Sequence, residues 1–152
     1  MLREGFGDFG AAVAGYRVLS FLGDLAEALG RAGQVAEGLA MAGDAIARCL
    51  SSEELWGMAE LLRIKGELIV TDGAAGAANE AEASFRQALD LARRQGALSW
   101  ELRSATSLAR LLQDQGRSAD ALAPLQPVYA QFTEGFDTVD LKTAKALLDA
   151  LR

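Results

Sequence analysis

The chain has 152 residues, of which 51% are hydrophobic and 24% charged, and its formal net charge is −6. This size and composition suit one soluble domain. The apolar runs are too short to cross a bilayer and no leader-like segment opens the chain, so we expect a cytoplasmic protein that does not bind membranes. The acidic balance argues against nucleic acid, because Arg93-Arg94 is the only adjacent basic pair.

Residues that carry catalysis and metal binding are scarce. The sequence has no histidine and one cysteine, Cys49. Histidine is the commonest general base and metal ligand, and one cysteine cannot form an intrachain disulfide. Gly5 to Gly10 formally match G-x-G-x-x-G, but a dinucleotide site needs a strand before the glycines. We therefore predict no enzyme, no catalytic residues, no cofactor and no metal.

Strong helix formers, with apolar residues at three- and four-residue steps, recur along the whole chain. The predicted helices are 2–9, 13–31, 34–50, 53–71, 78–95, 98–115, 118–133 and 138–151. Glycines are expected at helix ends, and hydroxyl residues followed by acids at helix starts. The expected ends are at Gly33, 72–76, Gly96 and Gly116, and the expected starts are at 51–54 and 138–140. Short connections predict antiparallel neighbours.

A set of small and bulky residues recurs three times at matched positions. The sets are Ala26, Leu29, Gly33, Gly38, Ala42 and Ala45; then Gly66, Ile69, Gly76, Ala81, Phe85 and Ala88; then Ala109, Leu112, Gly116, Ala121, Leu125 and Val128. The turn glycines lie 43 residues apart from Gly33 to Gly76 and 40 apart from Gly76 to Gly116. A constant offset over several markers indicates a repeat protein.

The second set contains Glu80-Ala81-Glu82-Ala83-Ser84-Phe85-Arg86-Gln87-Ala88-Leu89, which resembles the second-helix phrase of the tetratricopeptide repeat (TPR) family. The resemblance covers about residues 16–133. It implies an all-α fold, an α-α superhelix or TPR-like solenoid with three long helix pairs and terminal helices. The repeats would be about 16–50, 53–95 and 98–133, within a single domain 1–152. The spacing exceeds the family's period of about 34 residues, and Pro124 and Pro127 interrupt the last second helix.

Stacking of such pairs would bury a set of large apolar residues. They are Leu25, Leu29, Leu39, Ile46, Leu62, Ile69, Phe85, Leu89, Leu108, Leu112, Leu122 and Leu148. Cys49 is expected to be a small buried hydrophobe. Trp56 and Trp100, near helix starts, would either anchor a partner or, as we prefer, pack against the preceding helix.

Residues 132–151 resemble the C-terminal TPR region of large bacterial signalling proteins. Those proteins combine a nucleotide cyclase or a DNA-binding regulatory domain with an ATPase module. The resemblance implies that this chain is the C-terminal part of a longer polypeptide. Phe136 and a capping helix, 138–151, would then cover the exposed apolar face of the third repeat.

The TPR resemblance implies a non-catalytic scaffold that binds a protein or peptide, or other domains of its own parent chain. The family's groove positions fall on Glu27, Arg31, Glu60, Arg63, Glu67, Arg103, Thr106, Arg110 and Gln113. Arginines there could grip a carboxylate. A solvated helix face is an equal alternative, because pairs four residues apart stabilise a helix by about 0.2–0.5 kcal/mol each. Those pairs are Glu27–Arg31, Arg63–Glu67 and Arg110–Asp114.

Two further functions stay open. The chain could be a sensory module that binds a small ligand or a peptide in the groove. It could instead be a self-association domain, as a homodimer, with first-helix residues such as Phe6 and Phe9 at the contact.

Overall fold

The structure, a computed structural model, describes the backbone of residues 2–152 and the side chains of residues 15 and 17–152. This part of the chain is all-helical and contains no strand. Its helices are α1 (Leu2–Arg31), α2 (Val35–Ser52), α3 (Met58–Asp72), α4 (Ala77–Gln95), α5 (Leu98–Asp114), α6 (Ser118–Tyr129) and α7 (Val139–Ala150). Within the described residues, none of these helices is long and apolar enough to cross a lipid bilayer.

The helices contact one another in chain order, as pairs α1–α2, α3–α4 and α5–α6. Successive pairs meet through α2–α3, α4–α5 and α6–α7, and also through α1–α3, α3–α5 and α5–α7. No contact joins α2 to α4 or α4 to α6 within the described residues. The odd-numbered helices therefore form one continuous row, called here the inner row.

The predicted glycine helix ends are confirmed. Gly33, Gly96 and Gly116 have φ of 83°, 65° and 74°, a left-handed conformation that glycine adopts without a steric penalty. The glycines near the start of the chain behave differently. The predicted helices 2–9 and 13–31 form the single helix α1. Helix-interior glycine costs only about 0.5–1 kcal/mol, which does not force a break.

The predicted helix start at residues 51–54 is wrong. Ser51 and Ser52 belong to the last turn of α2, where their hydroxyls donate to the carbonyl of Arg48 at 3.0 and 2.8 Å. Serine hydroxyls often bond back to the preceding turn in this way. Glu53 then takes φ 58° and ends α2, and α3 begins only at Met58.

Thr138 does precede the last helix, but its hydroxyl does not cap it. The hydroxyl donates to the carbonyl of Gly135 at 2.7 Å, so it closes the preceding turn. The predicted helix 118–133 ends early, at Tyr129 and shortly after Pro127.

Small residues at the helix crossings make room for large ones, as the repeat pattern predicts. A Cβ added to Gly66 would lie 2.7 Å from Cδ1 of Phe85, which is 1% exposed. Ala88 and Ala109 are fully buried. Of the predicted core residues, Leu62, Ile69, Phe85, Leu89, Leu108, Leu112 and Leu148 are buried, and Leu25, Leu29, Leu39, Ile46 and Leu122 are half-buried.

The last helix closes one end of the largest core cluster. Its apolar residues Leu141, Ala144, Leu147 and Leu148 join the core that α3 to α6 build. Phe136 contributes less than predicted, because it is 47% exposed; its ring lies 6.0 Å from that of Tyr129, between ring centroids.

Candidate functional site

A cavity of about 190 Å³ with mostly polar walls lies on the inner row. We call it the polar cavity. Side chains from α1, α3, α5 and α7 line it. Six of the nine predicted groove residues are among them: Glu27, Arg63, Glu67, Arg103, Thr106 and Arg110. The predicted groove positions from three different helices therefore converge on one place.

The three other predicted residues do not line the cavity. Glu60 lies beside it and accepts hydrogen bonds from Arg63 and Arg103. Arg31 sits on the rim of α1 with a 72% exposed side chain and pairs with Glu27 at 3.1 Å. Gln113 is half-buried further along α5.

Arg63 is the centre of the polar cavity, and it is only 7% exposed. Its guanidinium donates to both carboxylate oxygens of Glu60 at 2.9 and 3.0 Å and to Glu27 at 3.2 Å. Glu67 lies 3.6 Å away. Burial alone would lower the pKa of Arg63, but the hydrogen bond and charge of Glu60, with the charges of Glu27 and Glu67, raise that pKa above its ordinary value. Arg63 is therefore a permanent buried cation.

The ion pairs continue along the inner row. Arg103 on α5 donates from Nη1 to Glu60 at 2.6 Å, and its Nε lies 3.1 Å from Asp140 on α7. With Arg63 and Glu27 these residues form a chain of alternating charges that crosses all four inner helices. We call Glu27, Arg63, Glu60, Arg103 and Asp140 the ion-pair ladder. Each arginine of the ladder is held by two carboxylates, so these groups are already engaged before any ligand arrives.

Arg110 differs from the other arginines of the polar cavity. It is exposed, and it forms no ion pair within the part of the chain that the structure describes. The predicted Arg110–Asp114 pair does not form, whereas Glu27–Arg31 and Arg63–Glu67 do. Its guanidinium offers donors that can bind a carboxylate or phosphate in bidentate fashion.

Sequence reasoning missed three residues that line the polar cavity: Ser107, Asp140 and Thr143. Ser107 donates its hydroxyl proton to Glu67 at 2.5 Å and so links α5 to α3. Asp140 and Thr143 lie on α7, which was predicted only to cover apolar surface. Their three-residue spacing on one polar face was the signal that α7 also faces the groove.

The two tryptophan rings contact each other. Trp56 is 55% exposed, and its ring meets that of Trp100 edge-on with centroids 5.5 Å apart. This contact ties the segment before α3 to the first turn of α5. Cys49 is fully buried, as predicted, and burial followed by the charge of Glu54 raises the pKa of its thiol.

A second cavity, of about 390 Å³, lies between the start of α5, the start of α7 and the segment between α6 and α7. Its walls combine apolar and hydroxyl side chains. They include Leu98, Ser99, Leu102, Phe132, Thr138 and Leu141. The sequence did not indicate this cavity, because residues 130–133 were predicted to continue a helix. We call it the end cavity.

Some predictions concern side chains that the structure does not describe. Phe6, Phe9 and the segment from Gly5 to Gly10 lie outside the described side chains. Among the described residues, no three acidic or cysteine side chains group together as metal ligands would. The chain matches no protein-family model, no curated protein and no solved structure.

Proposed function

We propose that this chain is a non-catalytic protein-interaction module with a TPR-like superhelical stack, and that its inner row binds a segment of another protein. The order of helix contacts, the glycine turns and the close approach of Gly66 to Phe85 support the TPR-like architecture. The proposed binding function rests on the polar cavity, where predicted groove residues from three helices come together.

The ion-pair ladder determines which ligand fits. All five of its carboxylates and arginines are bonded to a residue of another helix, so a ligand gains little by competing with them. Arg110 is the one arginine lining the polar cavity that makes no ion pair among the described residues, so its guanidinium is free to bind a ligand. The ligand we propose therefore presents one carboxylate, from an acidic side chain or a chain terminus, while its backbone lies along the inner row.

A charge reversal at Arg110 tests this directly. The probe is a phage library of short random peptides panned against the immobilised chain. Arg110→Glu should remove the peptides that the wild-type chain enriches, and those peptides should carry an acidic side chain. Because Arg110 makes no ion pair among the described residues, its reversal should leave the thermal midpoint nearly unchanged.

Arg48→Glu is the matched control for that experiment. Arg48 is also an exposed helical arginine, but it lies on α2 outside the inner row. It should retain wild-type peptide enrichment. Equal enrichment by wild-type and Arg110→Glu chains would refute the proposed binding mode.

The end cavity favours a second function, the sensing of a small ligand. Its volume of about 390 Å³ and mixed lining resemble those of small-molecule sites. A thermal-shift screen with a metabolite panel tests it. A true ligand should lose its shift in Ser99→Trp, which fills the cavity, and keep it in Arg110→Glu. Attachment to a cyclase or ATPase module stays a prediction from the tail.

A further inference from the structure

One face of α1 is built like a helix-packing face but has no packing partner among the described residues. First-helix positions of the first two repeats lie 40 residues apart, as from Ala26 to Gly66. Phe21 therefore corresponds to Leu61, and Ala28 corresponds to Leu68. Leu61 and Leu68 are 3% and 4% exposed because they pack on α1, where a Cβ on Gly23 would lie 3.1 Å from Leu61. Phe21, in contrast, is 63% exposed.

Phe21 belongs to an apolar stripe along this face. Val18, Phe21 and Leu25 follow one another at steps of three and four residues, which places them on one side of the helix. Val18 is 50% exposed and Leu25 is half-buried. Large apolar side chains exposed together at helical spacing mark an interaction surface more often than chance exposure does.

The charges beside the stripe are arranged in a self-complementary way. Arg17 and Asp24 are both exposed, lie seven residues apart and so occupy the same edge of the stripe. Neither forms an ion pair within the described part of the chain. Phe21 lies at the midpoint between Arg17 and Asp24, and also at the midpoint between Val18 and Leu25, to within half a residue.

We propose that two copies of this chain associate through an antiparallel α1–α1 contact centred on Phe21. A two-fold axis at that point packs Phe21 on Phe21 of the second copy. The same operation places each Val18 on the other copy's Leu25 and each Arg17 beside the other copy's Asp24. The apolar contact and the charged contact each occur twice, as an isologous interface requires.

The dimer should be in equilibrium with monomers. The contact from Arg17 to Leu25 covers about 14 Å of helix, which is small for a permanent interface. Sedimentation equilibrium of the whole chain over a range of concentrations should therefore show a monomer–dimer transition. Phe21→Ser should weaken association at least about tenfold, a change of about 1.4 kcal/mol. The control Val139→Ser, at a 78% exposed residue on α7, should not change it.

A charge exchange tests the antiparallel register itself. Arg17→Asp alone places Asp against Asp, and Asp24→Arg alone places Arg against Arg, so each variant should be monomeric. An equimolar mixture of the two variants should recover the dimer, because every contact then pairs Asp with Arg.

Three results would overturn the proposal. They are a wild-type chain that stays monomeric at the highest soluble concentration, a dimer that tolerates Phe21→Ser, and a mixture of the charge variants that fails to associate. The first indicates that another molecule covers this face, and the second that the copies meet elsewhere.

Discussion

Gly66 and Gly43 both lie inside helices, yet replacing each by alanine should change stability in opposite directions. A methyl group on Gly66 would lie 2.7 Å from Cδ1 of Phe85, whose ring is 1% exposed and has no space to move into. Overpacking of this kind costs about 1–3 kcal/mol. Alanine recovers about 0.5–1 kcal/mol over glycine in a helix, so the middle of the two ranges leaves Gly66→Ala destabilised by about 1 kcal/mol.

Gly43→Ala is the matched control, because nothing lies within 4 Å of a Cβ added there. Only the higher helix propensity of alanine then acts, and the chain should become more stable by about 0.5–1 kcal/mol. For a protein of this size, 1 kcal/mol moves the thermal midpoint by about 2–4 °C. The midpoint of Gly66→Ala should fall by about 2–4 °C, and that of Gly43→Ala should rise by about 1–4 °C.

Urea unfolding monitored by circular dichroism gives the free energies that decide the matter. A double-mutant cycle with Phe85→Leu then isolates the clash, since the smaller side chain should reduce the cost of Gly66→Ala. The reasoning fails if Gly66→Ala is as stable as Gly43→Ala, or if the cost is the same with leucine at position 85. Either result would mean that Gly66 does not receive the Phe85 ring.

Other parts of the structure give further expected outcomes. Phe85→Ala should cost about 3–5 kcal/mol in urea unfolding because it empties a fully buried site, whereas Phe21→Ala should cost little. Arg63→Met should cost about 1–3 kcal/mol, since Glu27 and Glu60 each lose one of their two arginine partners; an unchanged stability would mean that the remaining arginines suffice. Hydrogen bonds from Arg117 and a second arginine lower the pKa of Glu82 below its ordinary 4.5. The unfolded chain therefore binds a proton at Glu82 more readily than the folded chain does. The stability that ionised Glu82 contributes is present above about pH 4.5 and is lost as pH falls further. Below that pH, the thermal midpoint of Glu82→Gln should fall less steeply than that of the wild-type chain. Parallel plots of midpoint against pH for the two chains would contradict this prediction. Cys49 should react with a thiol reagent only as fast as the fold opens, and urea should accelerate the reaction.

The sequence was sufficient for the helices and most of the core, because both follow from patterns along the chain. The steps of three and four residues fix which face of a helix is apolar, and glycine marks where a helix ends. The failures lie where a local alternative competes with the pattern. Ser51 and Ser52 look like helix caps in sequence, but in the structure they bond backwards to Arg48. Propensity alone cannot separate these two uses of serine.

The polar site was partly predictable for a similar reason. A repeat places equivalent residues on equivalent faces, so Arg63, Thr106 and Arg110 could be assigned to the inner row. Which arginine stays unpaired depends on side-chain reach across helices, as in the bond from Arg103 to Glu60. Such contacts join residues 43 apart in sequence, and no local pattern encodes them. The end cavity depends on an irregular segment and gave no signal at all.

Equivalent repeat positions carry different chemistry along the inner row, and this divides its surface into two regions. Gly23 on α1 corresponds to Arg63 on α3 and Thr106 on α5. At α1 the small residue lets Leu61 pack closely. From α3 onward the same position is polar, so the polar cavity lies mainly among α3, α5 and α7, and Glu27 is the residue of α1 that lines it.

The groove is therefore shorter than three full repeats, and a ligand that offers one carboxylate suits it better than a long acidic segment. The opposite end of the inner row carries the uncovered apolar stripe around Phe21, and no residue of that stripe lines the polar cavity. Ligand binding and self-association should accordingly depend on separate residues. Arg110→Glu should leave the dimer intact and Phe21→Ser should leave peptide binding intact, so each proposal can fail without the other.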